Sequence, residues 1–229
     1  YYGTTSQRLI KRKEALPLCG NKNIAFDKIE VFTRVNKKIS SKILKLKEIK
    51  LQKKKLRNKI TIDIKKISLN KNKFNETQIM GILNMTPDSF SDGGEYNNNK
   101  AAFKRINSMI KSGAHIIDIG GESTRPGSKT ISPSQEWKRI SIVVKKFKKK
   151  YPKILLSVDT RKSEIMKEVI KNKGDIINDV SGFNYDKKSN NLVKNNKIWK
   201  IIHHMQGTPK TMQVNPSYKH VLLDIYDYF

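Results

Sequence analysis

The stretch HIIDIGGESTRPGS, residues 115–128, joins a short, mostly apolar run to a loop of glycine and polar residues. Apolar runs of this length are typical of strands that are buried on both faces of a parallel sheet. Four more such runs occur in the second part of the chain: QIMGIL (78–83), ILLSV (154–158), DIIND (175–179) and WKIIH (199–203). The sequence therefore predicts five parallel strands.

Amphipathic segments lie between these runs and predict helices. AAFKRINSMIKSG (101–113) ends on a glycine, Ser134 is a candidate N-cap for a helix that runs to Lys150, and Ser163 is one for the following EIMKEVIKNKG. A sixth element, VLLDIYDYF, begins as a helix. The alternation predicts an α/β fold, with a parallel sheet covered by helices or closed into a (βα) barrel. A doubly wound sheet is the alternative, but no G-x-G-x-x-G follows the first strand.

A change in composition near Asn75 divides the chain. Residues 1–75 hold 22 basic and 5 acidic residues, a net charge of +17 out of +28 for the whole chain. In this part, residues 23–33 predict a strand or hairpin arm, and Ile and Leu at 39–60 have mixed helical spacing. We predict a basic accessory region over 1–75 and a barrel domain over 76–229.

The basic charge raises nucleic-acid binding as a hypothesis. Lysine and asparagine are abundant together, which indicates a coding bias, and no arginine-rich stripe with interleaved aromatic residues occurs. We interpret the lysine-rich segment KILKLKEIKLQKKKLRNKI (42–60) as the solvated face of an amphipathic helix, with a polyanion-binding face as the alternative.

No apolar run approaches the roughly 20 residues of a membrane span. The single cysteine, Cys19, excludes an internal disulfide. We expect a cytoplasmic protein without nucleic-acid or membrane partners.

Two loops that follow strands are rich in polar residues. NMTPDSFSDGG (84–94) offers an amide, carboxylates and hydroxyls, which suit a hard cation such as Mg²⁺, although the same residues form turns. In GGESTRPGS (120–128), paired glycines, Thr124 and Arg125 suit an anionic ligand. The alternative is a simple ion pair between Glu122 and Arg125.

Polar residues also end the third and fourth strands. Asp159 ends the third, and Asn178 and Asp179 end the fourth. A carboxylate and an amide at neighbouring strand ends can bind one planar heterocycle with a guanidine-like edge, whereas a lone strand-end aspartate often caps the next helix. His203 and His204 do not predict zinc, because adjacent strand residues face opposite sides and no third ligand is suitably spaced.

The segments MGILNMTPDSFSDGG, GGESTRPGS, SVDT, IND and HMQGTPKTMQ occur in the order found in dihydropteroate synthases. From about Thr77 to Phe229, the chain resembles this family. The resemblance implies a (βα)₈ TIM barrel that joins (7,8-dihydropterin-6-yl)methyl diphosphate to 4-aminobenzoate, releasing diphosphate and forming dihydropteroate for folate synthesis. It also implies a sulfonamide target and a homodimer when the barrel is complete.

The resemblance also implies roles for individual residues. Asn84 should meet the Mg²⁺ of the leaving diphosphate, and Asp159 and Asn178 should hold the pterin edge. Roles in the loops are implied for four further residues: Thr124 as a contact of the pterin diphosphate, Arg125 and Pro126 on the aminobenzoate side, and Asp92 as a mobile residue that completes the site. We expect Asp92 and Arg125 to be catalytic.

Two departures from the family pattern change these expectations. His203 stands where the family often has an apolar residue against the pterin. The chain ends at Phe229, after about five βα units, so we expect a C-terminally truncated and inactive barrel with an exposed edge. The alternatives are a pterin-binding corrinoid methyltransferase, which would not need the TPDSFSDGG and STRPGS loops, and a basic nucleic-acid-binding protein.

Overall fold

A computed structural model describes residues 1–36, 38–69, 77–86, 95–123, 129–208 and 211–229, without the side chains of 95–98. The chain divides into two compact units, Tyr1–Thr77 and Gln78–Phe229. The boundary expected from composition falls within 70–76, outside the described residues. None of the helices in the described ranges is long and apolar enough to span a bilayer.

The first unit combines short strands and two helices. Its elements are α1 (Gly3–Lys11), β1 (Leu16–Leu18), β2 (Asn21–Phe26), β3 (Lys28–Val35), β4 (Lys38–Lys45), a 3₁₀ helix (Leu46–Leu51) and α2 (Lys54–Leu69). Strands β1 and β2 form one antiparallel pair, and β3 and β4 form another. Leu44, Ile49 and Ile60 form a small buried core, which joins β4, the 3₁₀ helix and α2.

Two local predictions for this unit were wrong in part. The expected strand at 23–33 is two strands, each paired with a different neighbour. The expected helix at 39–60 begins only at Lys54, because residues 38–45 pair with β3. Leu44 is buried opposite Ile29 while most of β4 stays exposed, so cross-strand pairing decided the structure here.

The second unit contains the expected parallel sheet. Its strands are β5 (Met80–Asn84), β6 (Ile116–Gly120), β7 (Leu155–Asp159), β8 (Ile176–Asp179) and β9 (Trp199–Ile202). Its helices are α3 (Glu95–Lys111), α4 (Pro133–Lys150), α5 (Ser163–Lys171), α6 (Lys187–Lys194) and α7 (Val221–Tyr228). The strands follow one another in chain order across the sheet. Doubly wound sheets reverse their strand order at a switch point, so sequential order confirms the barrel type of α/β fold.

Alternate residues of each strand face the helices and form the main core. Ile117 and Ile119 of β6 and Val158 of β7 are fully buried there, with Val143 and Phe147 of α4. On the opposite face, Ile82 of β5 is 63% exposed. In a barrel this second face is the interior, and polar residues at its carboxyl-terminal end are candidates for function.

The helix starts differ in detail from the sequence prediction. Ser132, not Ser134, caps α4: its hydroxyl accepts a hydrogen bond from the Gln135 backbone N–H. Ser163 is the first residue of α5, and its N–H donates to Asp186 at 2.8 Å. Asp186 also accepts from the Lys188 N–H, so this carboxylate caps two helices at once.

The shared cap gives a stability prediction. Burial opposes ionisation of Asp186, but the hydrogen bonds from Ser163 and Lys188 lower its pKa below the usual value. A lowered pKa contributes stability above the pKa of the unfolded chain, about 4, and loses it on acidification. Asp186→Ala should therefore lower the free energy of unfolding in urea by about 1–2 kcal/mol at pH 7 and by less at pH 3.

Asp186→Asn is the matched control, because its amide oxygen keeps one acceptor. It should lose less stability than the alanine variant at pH 7. Equal stability of the alanine variant and the parent at pH 7 would contradict the assigned cap.

Candidate active site

Three of the residues predicted to form the site lie in one row across the sheet. In the parallel register, Asn84 of β5 is opposite Gly120 of β6, Gly120 is opposite Asp159 of β7, and Asp159 is opposite Asn178 of β8. All four stand at or next to the carboxyl ends of their strands. Residues in register point to the same face of a sheet, so the three polar side chains share the interior face.

Gly120 leaves the space through which the neighbouring side chains approach each other. A Cβ atom added there would lie 3.4 Å from the Asn84 Oδ1 and 3.8 Å from the Asp159 Oδ2. Both side chains thus lean over the same backbone position. A ligand at this point of the sheet could contact an amide oxygen and a carboxylate together.

Asn178 is held from two sides, by Asp118, which the sequence analysis did not assign to the site, and by His203, which it noted only as a departure from the family pattern. Its Nδ2 donates to the Asp118 Oδ2 at 3.0 Å, and its Oδ1 lies 2.8 Å from the Nε2 of His203. Asp118 precedes Gly120 by two residues, so it faces the same side. A carboxylate inside the apolar run IIDIG was the available signal for it, because a buried charge needs a reason.

Two carboxylates, Asp118 and Asp159, share the interior face, and others lie near it. Burial first, and then the nearby Asp118, Glu136, Asp179 and Glu122, raise the pKa of Asp159 to about 7. Burial also raises the pKa of Asp118, and the hydrogen bond from Asn178 opposes this shift. A carboxylate with a raised pKa has too few donors around its charged form, so it favours a ligand that supplies N–H groups.

A buried ionic network is centred on Glu122, which follows β6. Arg161 and Lys162, which follow β7, both contact the Glu122 Oε2, at 3.0 and 3.1 Å. Lys162 also pairs with Glu136 of α4, and the other oxygen of Glu122 accepts from the Ile131 N–H. The partners of Glu122 thus tie the ends of two loops and a helix together. The ion pair with Arg125 that the sequence suggested involves a residue outside the described ranges.

Asp179 has a structural role beside Asn178. It is fully buried and accepts hydrogen bonds from the backbone and hydroxyl of Ser181 and from the Phe183 N–H. These bonds shape the turn after β8. Because strand residues alternate, Asn178 faces the interior and Asp179 faces the opposite, helix-covered side of the sheet.

The remaining predicted site residues lie outside the described residues. They are Asp92, Thr124, Arg125 and Pro126. Within the described ranges, no group of three or more His, Cys, Asp or Glu side chains is arranged to hold a metal ion. Asn84 offers one exposed amide oxygen at the edge of the site.

The model of the pterin-binding enzyme family matches residues 80–229, which include the whole row from Asn84 to Asn178. The chain belongs to the pterin-binding enzyme family. The first unit, Tyr1–Thr77, precedes the matched region.

Curated relatives of this chain include dihydropteroate synthases, which confirms the resemblance found from the motifs. The chain is 42% identical over 151 residues to the one from Escherichia coli K12 and 37% identical over 153 residues to the one from Synechocystis. These matches cover 66% and 67% of this chain and 53% of each relative. The chain thus spans about half the length of the curated relatives it matches.

Solved structures give the same result. A dihydropteroate synthase from Clostridium difficile, solved in the presence of pteroic acid, has a TM-score of 0.61 and 38% sequence identity, covering 68% of this chain and 56% of that one. The Yersinia pestis enzyme, solved with a sulfonamide drug, has a TM-score of 0.58 and 39% identity, covering 66% and 55%. The fold class and the family inferred from sequence are both confirmed.

The raised pKa of Asp159 makes stability depend on pH. Its folded pKa of about 7 exceeds the unfolded value near 4, so ionisation destabilises the fold as pH rises through this window. Asp159→Asn removes the ionisation. The variant should have the same free energy of unfolding as the parent near pH 4. At pH 8 its free energy of unfolding, measured in urea, should be higher than that of the parent by up to about 4 kcal/mol.

Asp63→Asn, on the exposed surface of α2, is the control and should leave the pH dependence of stability unchanged. A parent and an Asp159→Asn variant with parallel pH profiles would contradict the electrostatic description of the site.

Proposed function

We propose that this chain provides the pterin side of a dihydropteroate synthase. The proposed reaction joins (7,8-dihydropterin-6-yl)methyl diphosphate to 4-aminobenzoate, giving 7,8-dihydropteroate and diphosphate. The observation that carries the proposal is the row of Asn84, Asp159 and Asn178 on one face of the sheet. Two related structures support it. The Burkholderia cenocepacia synthase was solved with 7,8-dihydropteroate, and the Xanthomonas albilineans synthase was solved with 4-aminobenzoic acid.

Asp159 and Asn178 are suited to the pterin edge. A pterin carries a guanidine-like set of N–H donors, and an ionised Asp159 accepts two of them in one plane. Asn178 keeps one N–H and one lone pair beyond its bonds to Asp118 and His203. The N–H groups of the pterin would supply the donors that the carboxylate cluster lacks.

Asn84 is the proposed protein ligand of Mg²⁺. A neutral, exposed amide oxygen fits an ion that keeps several waters and binds chiefly to phosphate oxygens. When bound, the ion would neutralise charge on the diphosphate as it leaves. Asn84 would then set the diphosphate at the opposite end of the row from Asn178.

The second substrate is assigned to the loops. We propose that Arg125 and Pro126 contact 4-aminobenzoate, Thr124 contacts the pterin diphosphate and Asp92 completes the site from the first loop. The aniline nitrogen forms a bond to the pterin methylene as the C–O bond breaks, diphosphate leaves with the electron pair, and the nitrogen loses one proton. The aniline nitrogen is already nucleophilic, so no Ser, Cys or His nucleophile is required. We propose that sulfonamides would occupy the aminobenzoate position; the related Yersinia pestis enzyme was solved with a sulfonamide drug.

A binding experiment on residues 1–229 tests the pterin assignment. The ionised form of Asp159 is needed to accept the pterin N–H groups, and its pKa in the unliganded protein is about 7. We expect 6-hydroxymethyl-7,8-dihydropterin to bind more weakly as pH falls below 7, by up to about tenfold per unit, with proton release on binding. Asp159→Asn should bind weakly at every pH.

Glu164→Gln serves as the control for that titration, because Glu164 is exposed on the first turn of α5. It should follow the parent at each pH. If Asp159→Asn binds the pterin with the affinity and pH profile of the parent, Asp159 does not belong to the proposed site.

We also propose that residues 1–229 alone do not form dihydropteroate. Among the described strands, β5 and β9 are each paired on one side only, so the carboxyl-end face is open where a barrel would enclose its substrates. Incubation with both substrates and Mg²⁺, followed by chromatography, should give product only at background level. A rate above background would contradict this proposal but not the pterin assignment.

Two further assignments complete the proposal. The exposed free thiol of Cys19 is compatible with a reducing cytoplasm, which we propose as the location. We propose a homodimer for the complete enzyme.

A further inference from the structure

His203 follows β9 and overhangs the row of site residues. Its backbone N–H donates to the Asp179 carbonyl at 3.3 Å, so it continues the pairing of β9 with β8. Ile201 is opposite Asn178 in the register, and His203 lies two residues further along the same face. This placement brings the imidazole over the side chain of Asn178.

The directions of the hydrogen bonds around Asn178 can be worked out from the chemistry of its neighbours. In the structure the Nδ2 of Asn178 faces Asp118 and donates to its Oδ2 at 3.0 Å. The Oδ1 then faces His203, so the Nε2 of His203 must carry a proton and donate. Rotating the amide by 180° would place two oxygens together at Asp118 and two N–H groups together at His203.

We propose that His203 is a positioning residue for the pterin edge, because it fixes which end of the Asn178 amide is the donor and which is the acceptor. The inference rests on the proposed function and extends it. Asp118 holds only the Nδ2 end, and an apolar side chain at position 203 would leave the Oδ1 end without its donor. With His203 in place, Asn178 presents one N–H and one lone pair in a single orientation to a heterocycle.

The orientation of the amide affects which heterocycle can bind. A planar ring with alternating donors and acceptors matches one orientation of an amide and meets like groups in the other. His203 is itself exposed, so its contact with Asn178 is not imposed by close packing around the ring. A positioning role therefore predicts a change in amide order and ligand binding.

The first test needs no ligand. In ¹⁵N-labelled residues 1–229, the side-chain amide signal of Asn178 is assigned by its loss in Asn178→Asp, and its order parameter is measured by relaxation. We expect a value near that of rigid backbone, roughly 0.8, in the parent and below about 0.6 in His203→Leu. His203→Gln restores a donor and should restore the order.

His204→Leu is the matched control, since it makes the same change at the next residue. His204 packs against Tyr218 and Tyr228 and is 3.4 Å from the Tyr218 hydroxyl. The His204→Leu variant should leave the Asn178 amide ordered. Equal order in His203→Leu and the parent, or equal loss of order in His204→Leu, would overturn the proposal.

The second test uses 6-hydroxymethyl-7,8-dihydropterin as the probe. His203→Leu should bind roughly tenfold more weakly, the loss expected for one hydrogen bond, and His203→Gln should recover most of the affinity. Unchanged affinity in His203→Leu, or no recovery in His203→Gln, would overturn the role in binding. If the parent binds no pterin, the proposed function fails for this chain, while the relaxation measurement still decides whether His203 orders Asn178.

Discussion

The register of the parallel strands is the constraint on which the candidate site depends. Backbone hydrogen bonds hold Asn84, Gly120, Asp159 and Asn178 at the same height on four neighbouring strands. A shift of one residue in any strand would turn its polar side chain toward the helices and an apolar one toward the interior. The fully buried helix-facing residues, such as Ile119 and Val158, oppose such a shift. Packing of the core thus fixes the strand register, and with it the positions of the site residues.

The same register concentrates carboxylates where water is partly excluded. Asp118 and Asp159 share the interior face, and their mutual repulsion adds to the effect of burial in raising the pKa of Asp159. Arg161 and Lys162 lie close by, but their charges are taken up by Glu122, and Lys162 also pairs with Glu136. Among the described residues, these two cations are therefore engaged with Glu122 and Glu136 and not with Asp159. A donor-rich planar ligand relieves this electrostatic cost, which links the acidity of the site to the class of molecule it would bind.

The sequence predicted the second unit well because its strands are determined by local apolar runs, and the strand bounds differ by at most two residues from those expected. The first unit was predicted less well. In the segment from Ile39, the spacing of Ile and Leu suits a helix, but pairing with β3, which no local pattern reveals, makes it a strand. The cap of α5 differs for a similar reason, since Asp186 reaches Ser163 across 23 residues. Asp159 and Asn178 were recognisable at strand ends, whereas the roles of Asp118 and His203 depend on contacts between strands.

These cross-strand contacts make the site depend on strands that supply none of the predicted pterin ligands. Asn178 is on β8, but its amide is held by Asp118 from β6 and by His203 after β9. Strand β6 is paired on both sides and buried along its length, whereas β9 is paired on one side only among the described strands, with Trp199 44% and Ile202 47% exposed. Edge strands open more readily than central ones. The acceptor end of the amide is held from β9 and the donor end from β6, so we expect the order of β9 to influence how well Asn178 is oriented.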